Sequence, residues 1–213
     1  MNSLPREAKV VVIGGGIAGC STAYHLAKNG WNTVLIERDI LTSGTTWHAA
    51  GMITQLGTTP QITKIRKYSV KFYNELKSIT GQDTSFEQTG TINIATSKSR
   101  MQEYFRQKSM SKIFDLNIDL IDNKKFKKLY PIAKNKDVVG GLYIPEDGQA
   151  DPQILTQTIA YAAKKAGVKI FEKCKLEKIL KRANQIRGLK TNLGKIDCEY
   201  IVLCAGMWSR QIG

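Results

Sequence analysis

Three glycines, Gly14, Gly16 and Gly19, stand where a run of Val and Ile gives way to a helical pattern. The stretch "AKVVVIGGG" suits a buried parallel strand. In "IAGCSTAYHLAKNG" Ile17, Cys20, Ala23, Tyr24 and Ala27 recur at helical spacing as far as Gly30. A second buried strand, "NTVLIERD", follows and carries Glu37, eighteen residues after Gly19. In such a strand, helix, strand unit, Gly14 permits a tight turn and Gly16 leaves room for a pyrophosphate against the backbone. Gly19 lets the helix lie close on the strand, with its N-terminus facing the phosphates. A carboxylate at Glu37 can accept both hydroxyls of an adenosine ribose and repels a 2'-phosphate. Glycine-rich turns also arise from packing alone. Here strand, helix and acid agree in spacing, so dinucleotide binding is the expectation, with NAD and FAD both open.

The chain has 213 residues, 42% hydrophobic and 23% charged, which is enough to bury a core and typical of a folded domain. No apolar run reaches the ~18 residues of a membrane span and no basic lead precedes an apolar stretch, so a cytoplasmic protein without membrane contact is expected. Cys20, Cys174, Cys198 and Cys204 form no C-x-x-C pair, and with only two histidines no zinc spacing can be written. No metal site is expected, and the thiols are read as reduced and packed inside. The net charge of +14 is spread through separate lysine clusters such as "DNKKFKKLY" and "FEKCKLEKILKR". It is therefore read as a solvated surface and not a nucleic-acid face, with a basic entrance for an anionic ligand as the alternative.

From Thr59 to Ile79 the pattern is that of an amphipathic helix, and "FEQTGTINIAT" alternates like a half-buried strand. Helices are expected over Lys98–Phe114 and Asn123–Tyr130, then a strand and turn in "VVGGLYIPEDGQADP". After Asp151, an N-cap with Pro152 behind it, a helix runs to Gly167. A strand, a hairpin and a last apolar strand, "YIVLCAG", lead into a second glycine turn. The expected fold is α/β, a Rossmann-like nucleotide-binding domain interrupted by the start of an inserted α+β substrate domain, an interruption frequent in FAD-binding folds. Residues 1–58 and 149–213 form the two parts of the nucleotide domain and 59–148 begin the insertion.

The stretches "VVVIGGGIAGCSTAYHLAKNG", "VLIERDILTSGTTWHAAGM", "DGQADPQILTQTIAYAAKKAGVKI" and "IVLCAGMWSRQIG" together resemble the N-terminal part of the D-amino-acid-oxidase-like flavoproteins. Within them the resemblance is specifically to the dimethylglycine and sarcosine dehydrogenase branch. The resemblance covers nearly the whole chain and implies the GR2-type FAD fold. Its sharpest element is "SGTTWHAAG", in which the resemblance implies that His48 bonds covalently to the 8α-methyl of FAD. Trp47 and the small Ala49, Ala50 and Gly51 would let the backbone lie close to a flat ring. The alternative for His48 is a packed histidine satisfied by a backbone carbonyl, which is the preferred reading of His25. By the same resemblance Glu37 and Arg38 meet the adenosine, and Ser43, Gly44, Thr45 and Thr46 wrap the pyrophosphate and ribityl chain. Leu176, Ala205 and Gly206 return to the dinucleotide, Leu176 being a core strand position in either case.

The activity so implied is oxidation of the C–N bond of a small N-methylated amino acid such as sarcosine or dimethylglycine, with hydride passing to flavin N5. Electrons would leave to an electron-transfer flavoprotein or to oxygen. Tetrahydrofolate enters only if a downstream domain binds it. The chain is expected to be the N-terminal piece of a longer protein, incomplete and inactive alone, and no catalytic acid or base is named in it. Two other readings stay open: a noncovalent FAD amino-acid oxidase, and a non-catalytic regulatory subunit like that of the pyruvate dehydrogenase phosphatase.

Overall fold

The computed structural model describes residues 3–183 and 185–212. The chain opens with β1 (Glu7–Ile13), α1 (Ile17–Lys28) and β2 (Thr33–Ile36). Its middle holds β3 (Met52–Ile53), α2 (Pro60–Thr80), β4 (Thr91–Ala95), α3 (Lys98–Ser111), β5 (Asp119–Ile121), α4 (Asn123–Leu129), β6 (Gly140–Ile144) and β7 (Gly148–Gln149). It closes with α5 (Pro152–Lys165), β8 (Lys169–Phe171), β9 (Leu176–Arg182), β10 (Gln185–Thr191), β11 (Gly194–Leu203) and α6 (Ser209–Ile212). Two compact units result. The first takes the segments up to Ala50, Leu76–Thr84 and the chain from Asp151 onward, and the second takes Gly51–Glu75 and Ser85–Ala150.

The first unit is built on a six-stranded sheet of order β8-β2-β1-β11-β10-β9. The four strands from β8 to β11 run parallel, and β10 and β9 extend the sheet as an antiparallel meander. Val10, Val11, Val12, Val34, Leu35 and Ile36 are at most 1% exposed, which is why β1 and β2 read as unbroken apolar runs: both faces of these strands are covered. Helix α1 buries Gly19, Cys20, Ala23 and Tyr24. It packs against α5, whose buried Ala160, Ala162 and Ala163 allow a close approach. The start of α5 follows from Asp151, whose carboxylate accepts the backbone N–H groups of Gln153 and Ile154 at 2.8 and 2.9 Å, with Pro152 behind it.

The second unit carries an antiparallel sheet of order β4-β6-β5 covered by α3, with Ala95, Tyr104, Leu116, Ile118, Leu142 and Ile144 as its core. Strand β3 pairs with β7. Asp147, fully buried, accepts the Gln55 N–H at 2.8 Å and the Thr91 hydroxyl at 2.6 Å, and burial pushes its carboxyl above the ordinary carboxylate range. Three local expectations are corrected here. Only Thr91–Ala95 of "FEQTGTINIAT" is strand, with Glu87 making an isolated bridge to Gln149. The third helix stops at Ser111 and tightens into a single 3-10 turn, Lys112–Phe114. Asp115 then turns left-handed (φ 50°), which brings the buried Leu116 and Ile118 back to the core. Strand β5 was not expected, because three residues are too few to show alternation.

The closest packing in the first unit is backbone on backbone. A methyl group at Gly19 would overlap the carbonyl oxygen of Gly14, whereas one at Gly81 would meet nothing within 4 Å. Gly19→Ala is expected to cost about 1–3 kcal/mol through overpacking. At about 2–4 °C per kcal/mol for a chain of this size, thermal unfolding followed by circular dichroism should show a fall of roughly 2–12 °C. A Gly19→Ala protein as stable as the parent would contradict the contact.

Candidate functional site

The parallel register levels four strand ends. Ile13 of β1 pairs with Ile36 of β2 and Leu203 of β11, and Ile36 pairs with Phe171 of β8. The next residues are tied into the same row: Gly14 N–H donates to the Ile36 carbonyl at 2.9 Å, Glu37 N–H to Phe171 at 2.8 Å and Cys204 N–H to Ile13 at 2.8 Å. The turns after β1, β2, β8 and β11 therefore open on one side of the sheet. Ligands of open α/β sheets bind there, beside the strand where the connections change direction. A cleft of about 590 Å³ lies at that edge, within the range of small-molecule and cofactor sites.

Its floor is the turn between β1 and α1. Gly14 has φ 115°, and a side chain on it would overlap the carbonyl of Cys204. Gly15 is crowded by side chains: a methyl there would lie 2.6 Å from Leu41 and 2.9 Å from the Glu37 side chain. That close approach lets the Glu37 carboxylate accept the Gly15 N–H at 2.6 Å with one oxygen and the Asp39 N–H at 2.9 Å with the other. A carboxylate has about four acceptor positions, so each oxygen keeps capacity for another donor. The loop after β2 is held from the far side. Leu41 N–H donates to Glu172, Lys173 N–H to the Asp39 carbonyl, and Lys173 forms an ion pair with Asp39. The Arg38 guanidinium lies 4.2 Å from the ring centre of Trp208, a cation–π contact that forms one wall.

Of the residues singled out from the sequence, Gly14, Gly16, Glu37, Arg38, Ser43, Gly44, Thr45, Thr46, Leu176, Ala205 and Gly206 line this one cleft. Gly19 stands behind the turn. His48 ends a one-turn 3-10 helix, Thr46–His48. It is exposed, its ring 3.8 Å from that of Trp47, and it is not part of the cleft wall. Gly51 belongs to the second unit, at φ 76° against the Ala150 backbone. The space beside Gly16 holds the Thr46 hydroxyl, 2.9 Å from where a methyl would stand. Gly15, Cys174, Lys175 and Trp208 also line the cleft and were not foreseen. Gly15 could have been suspected from the triple glycine, whereas Lys175 and Trp208 carry no local signal. His25 is a packed histidine, its Nδ1 2.7 Å from the Ser21 carbonyl oxygen.

The second unit has a cleft of its own, about 520 Å³, lined by Arg66, Arg100, Arg106, Glu103 and Asp147 among others. Much of its polarity is turned inward. Arg106 binds Glu103 and so holds that carboxyl well below the usual range, and Arg66 donates to Thr54 and to the Leu56 carbonyl. Among the described residues no group of His, Cys, Asp and Glu could hold a metal ion, and no helix is long and apolar enough to cross a membrane.

A protein-family model described as "DAO: FAD dependent oxidoreductase" matches residues 9–213. The chain is 35% identical over 210 residues to a 4-methylaminobutanoate oxidase (formaldehyde-forming) of Paenarthrobacter nicotinovorans, covering 98% of this chain and 26% of that protein. It is 37% identical over 217 residues to the human mitochondrial sarcosine dehydrogenase, covering 99% and 24%. It is 35% identical over 212 residues to the mouse mitochondrial pyruvate dehydrogenase phosphatase regulatory subunit, again covering 99% and 24%. The chain thus spans about a quarter of the length of these curated relatives. Among solved structures, L-proline dehydrogenase from P. horikoshii superimposes with a TM-score of 0.92 at 30% identity, over 98% of this chain and 55% of that one.

All four cysteines are free thiols. Cys20, behind the glycine turn with its Sγ 3.7 Å from the Gly15 carbonyl oxygen, is pushed up to about 12 by burial and then by the charge of Glu37. Folding therefore favours the protonated thiol. The stability this contributes is complete below the thiol's ordinary pKa near 9 and is lost as pH rises towards 12. Urea midpoints measured between pH 8 and about pH 11 should fall more steeply in the parent than in Cys20→Ala. Parallel curves would contradict the assignment.

Proposed function

The chain belongs to the FAD-dependent oxidoreductase family, whose model it matches over residues 9–213, and from that premise we propose that its first unit holds FAD for the oxidation of an N-methylated amino acid. The observation that carries the reading is the convergence of the glycine turn, the Glu37 carboxylate and the second glycine turn in one cleft at level strand ends. The residues present fit the group. Gly14 and Gly15 leave the turn bare of side chains, helix α1 has no side chain of its own on its N-cap Gly16, and Glu37 keeps acceptor capacity beside the turn. Glu37 would take the ribose hydroxyls. Arg38, packed on Trp208, and Leu176 would flank the adenosine. Ser43, Gly44, Thr45 and Thr46 would follow the diphosphate towards the ribityl chain, with Ala205 and Gly206 opposite. Bound FAD supplies the electron sink, accepting a hydride from the carbon next to nitrogen.

His48 lies two residues beyond Thr46, so a dinucleotide running along this loop would bring its flavin ring towards the exposed imidazole, and we take His48 as the residue that bonds to it. The substrate class rests on the kinship with the sarcosine dehydrogenase and the 4-methylaminobutanoate oxidase. The electron acceptor would be a flavoprotein or oxygen, and folate a participant only through a further domain.

Replacing Glu37 removes charge-assisted hydrogen bonds of about 1.5–3 kcal/mol, so Glu37→Ala should bind FAD roughly 10- to 100-fold more weakly in fluorescence titrations. Glu37→Gln, which can still accept the Gly15 N–H, should keep the fold and lose most of the affinity. Equal affinity in both variants and the parent would count against the ribose role. The substrate class is checked by mixing the FAD-loaded protein anaerobically with sarcosine, dimethylglycine or 4-methylaminobutanoate: bleaching of the flavin absorbance is expected, and bleaching only by unmethylated amino acids would favour an amino-acid oxidase.

A further inference from the structure

The loop after β2 is seated on both glycine turns by three consecutive residues. Gly44 faces the Trp208 ring, 3.2 Å from where a methyl on Gly44 would stand. Thr45 Oγ1 is 3.7 Å from the corresponding position on Gly206, in the second turn. Thr46 Oγ1 accepts the N–H of Ile17, the first residue of α1, at 3.2 Å. Helix α1 has no capping side chain at its own N-cap, Gly16, so Thr46, twenty-nine residues beyond Ile17, supplies a capping acceptor from outside.

Thr46 also opens the 3-10 turn that ends at His48. The His48 N–H donates to the Thr45 carbonyl and the Ala49 N–H to the Thr46 carbonyl, each at 3.2 Å. Neither Trp47 nor His48 is buried, and the turn is held by these two hydrogen bonds, the Thr46 hydroxyl and its packing against α5. We propose that Thr46 is a positioning residue: its hydrogen bond to the α1 N-terminus registers His48 against the dinucleotide turn. The proposal rests on the reading of His48 as the flavin-bonding residue. That bonding breaks a C–H bond of the 8α-methyl and the imidazole N–H and forms one C–N bond. Two electrons and two protons pass to the flavin ring, and molecular oxygen takes them up as hydrogen peroxide. Thr46 does not touch the reacting atoms. Misplacement by about an ångström is enough to cost on the order of 100-fold in such a step.

The test uses the flavin-free protein, the isosteric Thr46→Val and the hydroxyl-retaining Thr46→Ser, each given saturating FAD so that affinity drops out. The flavin retained after acid precipitation is followed with time, and amide exchange of His48 and Ala49 is measured by mass spectrometry with the β1 amides as internal reference. Thr46→Val should attach flavin at least about tenfold more slowly and exchange faster at residues 48 and 49, with β1 unchanged, while Thr46→Ser should match the parent in both. Attachment and exchange in Thr46→Val equal to the parent would overturn the proposal. If the parent itself binds FAD but never attaches it, the His48 reading fails separately. Exchange then decides the role of Thr46, and an unchanged rate at residues 48 and 49 in Thr46→Val overturns it.

Discussion

The cleft depends on backbone lying against backbone at Gly14. Its carbonyl oxygen occupies the place of a side chain on Gly19, and the space beside its own α-carbon is filled by the carbonyl of Cys204. With no side chain between them, the first turn of α1, the end of β1 and the end of β11 close to contact distance. The sheet register then sets the ends of β2 and β8 level with both. A residue with a Cβ at either glycine would push helix from strand and lift the turn out of line. The floor that results is polar main chain, suited to a phosphate-bearing ligand that needs N–H donors and close approach.

Glu37 has two tasks that favour the same geometry. It ties the glycine turn to the loop after β2 by accepting two backbone N–H groups, and it presents the remaining acceptor capacity to the cleft. The loop it anchors is braced from the β8 side by Glu172 and Lys173 and from the second turn through Arg38 and Gly44 on Trp208. A segment poor in regular structure is thereby held at both ends before it reaches Thr46 and His48. The thiols around it are kept neutral by burial, so the cleft carries its negative charge on Glu37 and its positive charge on Arg38 and Lys175.

Much of this was legible in the sequence because local rules and the fold agree there. The Val/Ile runs, the glycine spacing, the acid after β2 and the Asp151-Pro152 helix start each follow from short-range chemistry, and all appear where expected. Trp208 and Lys175 were not legible: a tryptophan in "GMWS" and a lysine in "KCKLEK" become cleft walls only because β8 and β11 end beside β1 and β2. Gly15 was passed over because its constraint is the Glu37 side chain, twenty-two residues away. In the second unit the two-residue strands β3 and β7 and the three-residue β5 are too short to leave a period, and the end of α3 is set by the core's demand for Leu116 and Ile118. The part of the site that sequence reasoning valued most, His48, is the part that lies outside the cleft wall, carried by the loop that the cleft holds.

On the proposed reading a single chemical outcome is decisive: the flavin ring reaching the imidazole beyond Thr45 and Thr46. Proteolysis of the acid-precipitated, FAD-loaded protein and mass spectrometry of the peptide spanning Trp47 to Gly51 measures it directly. This peptide is expected to carry the mass of FAD less two hydrogens on His48. A peptide of unmodified mass, with all the flavin recovered in the acid supernatant or on another residue, would contradict it.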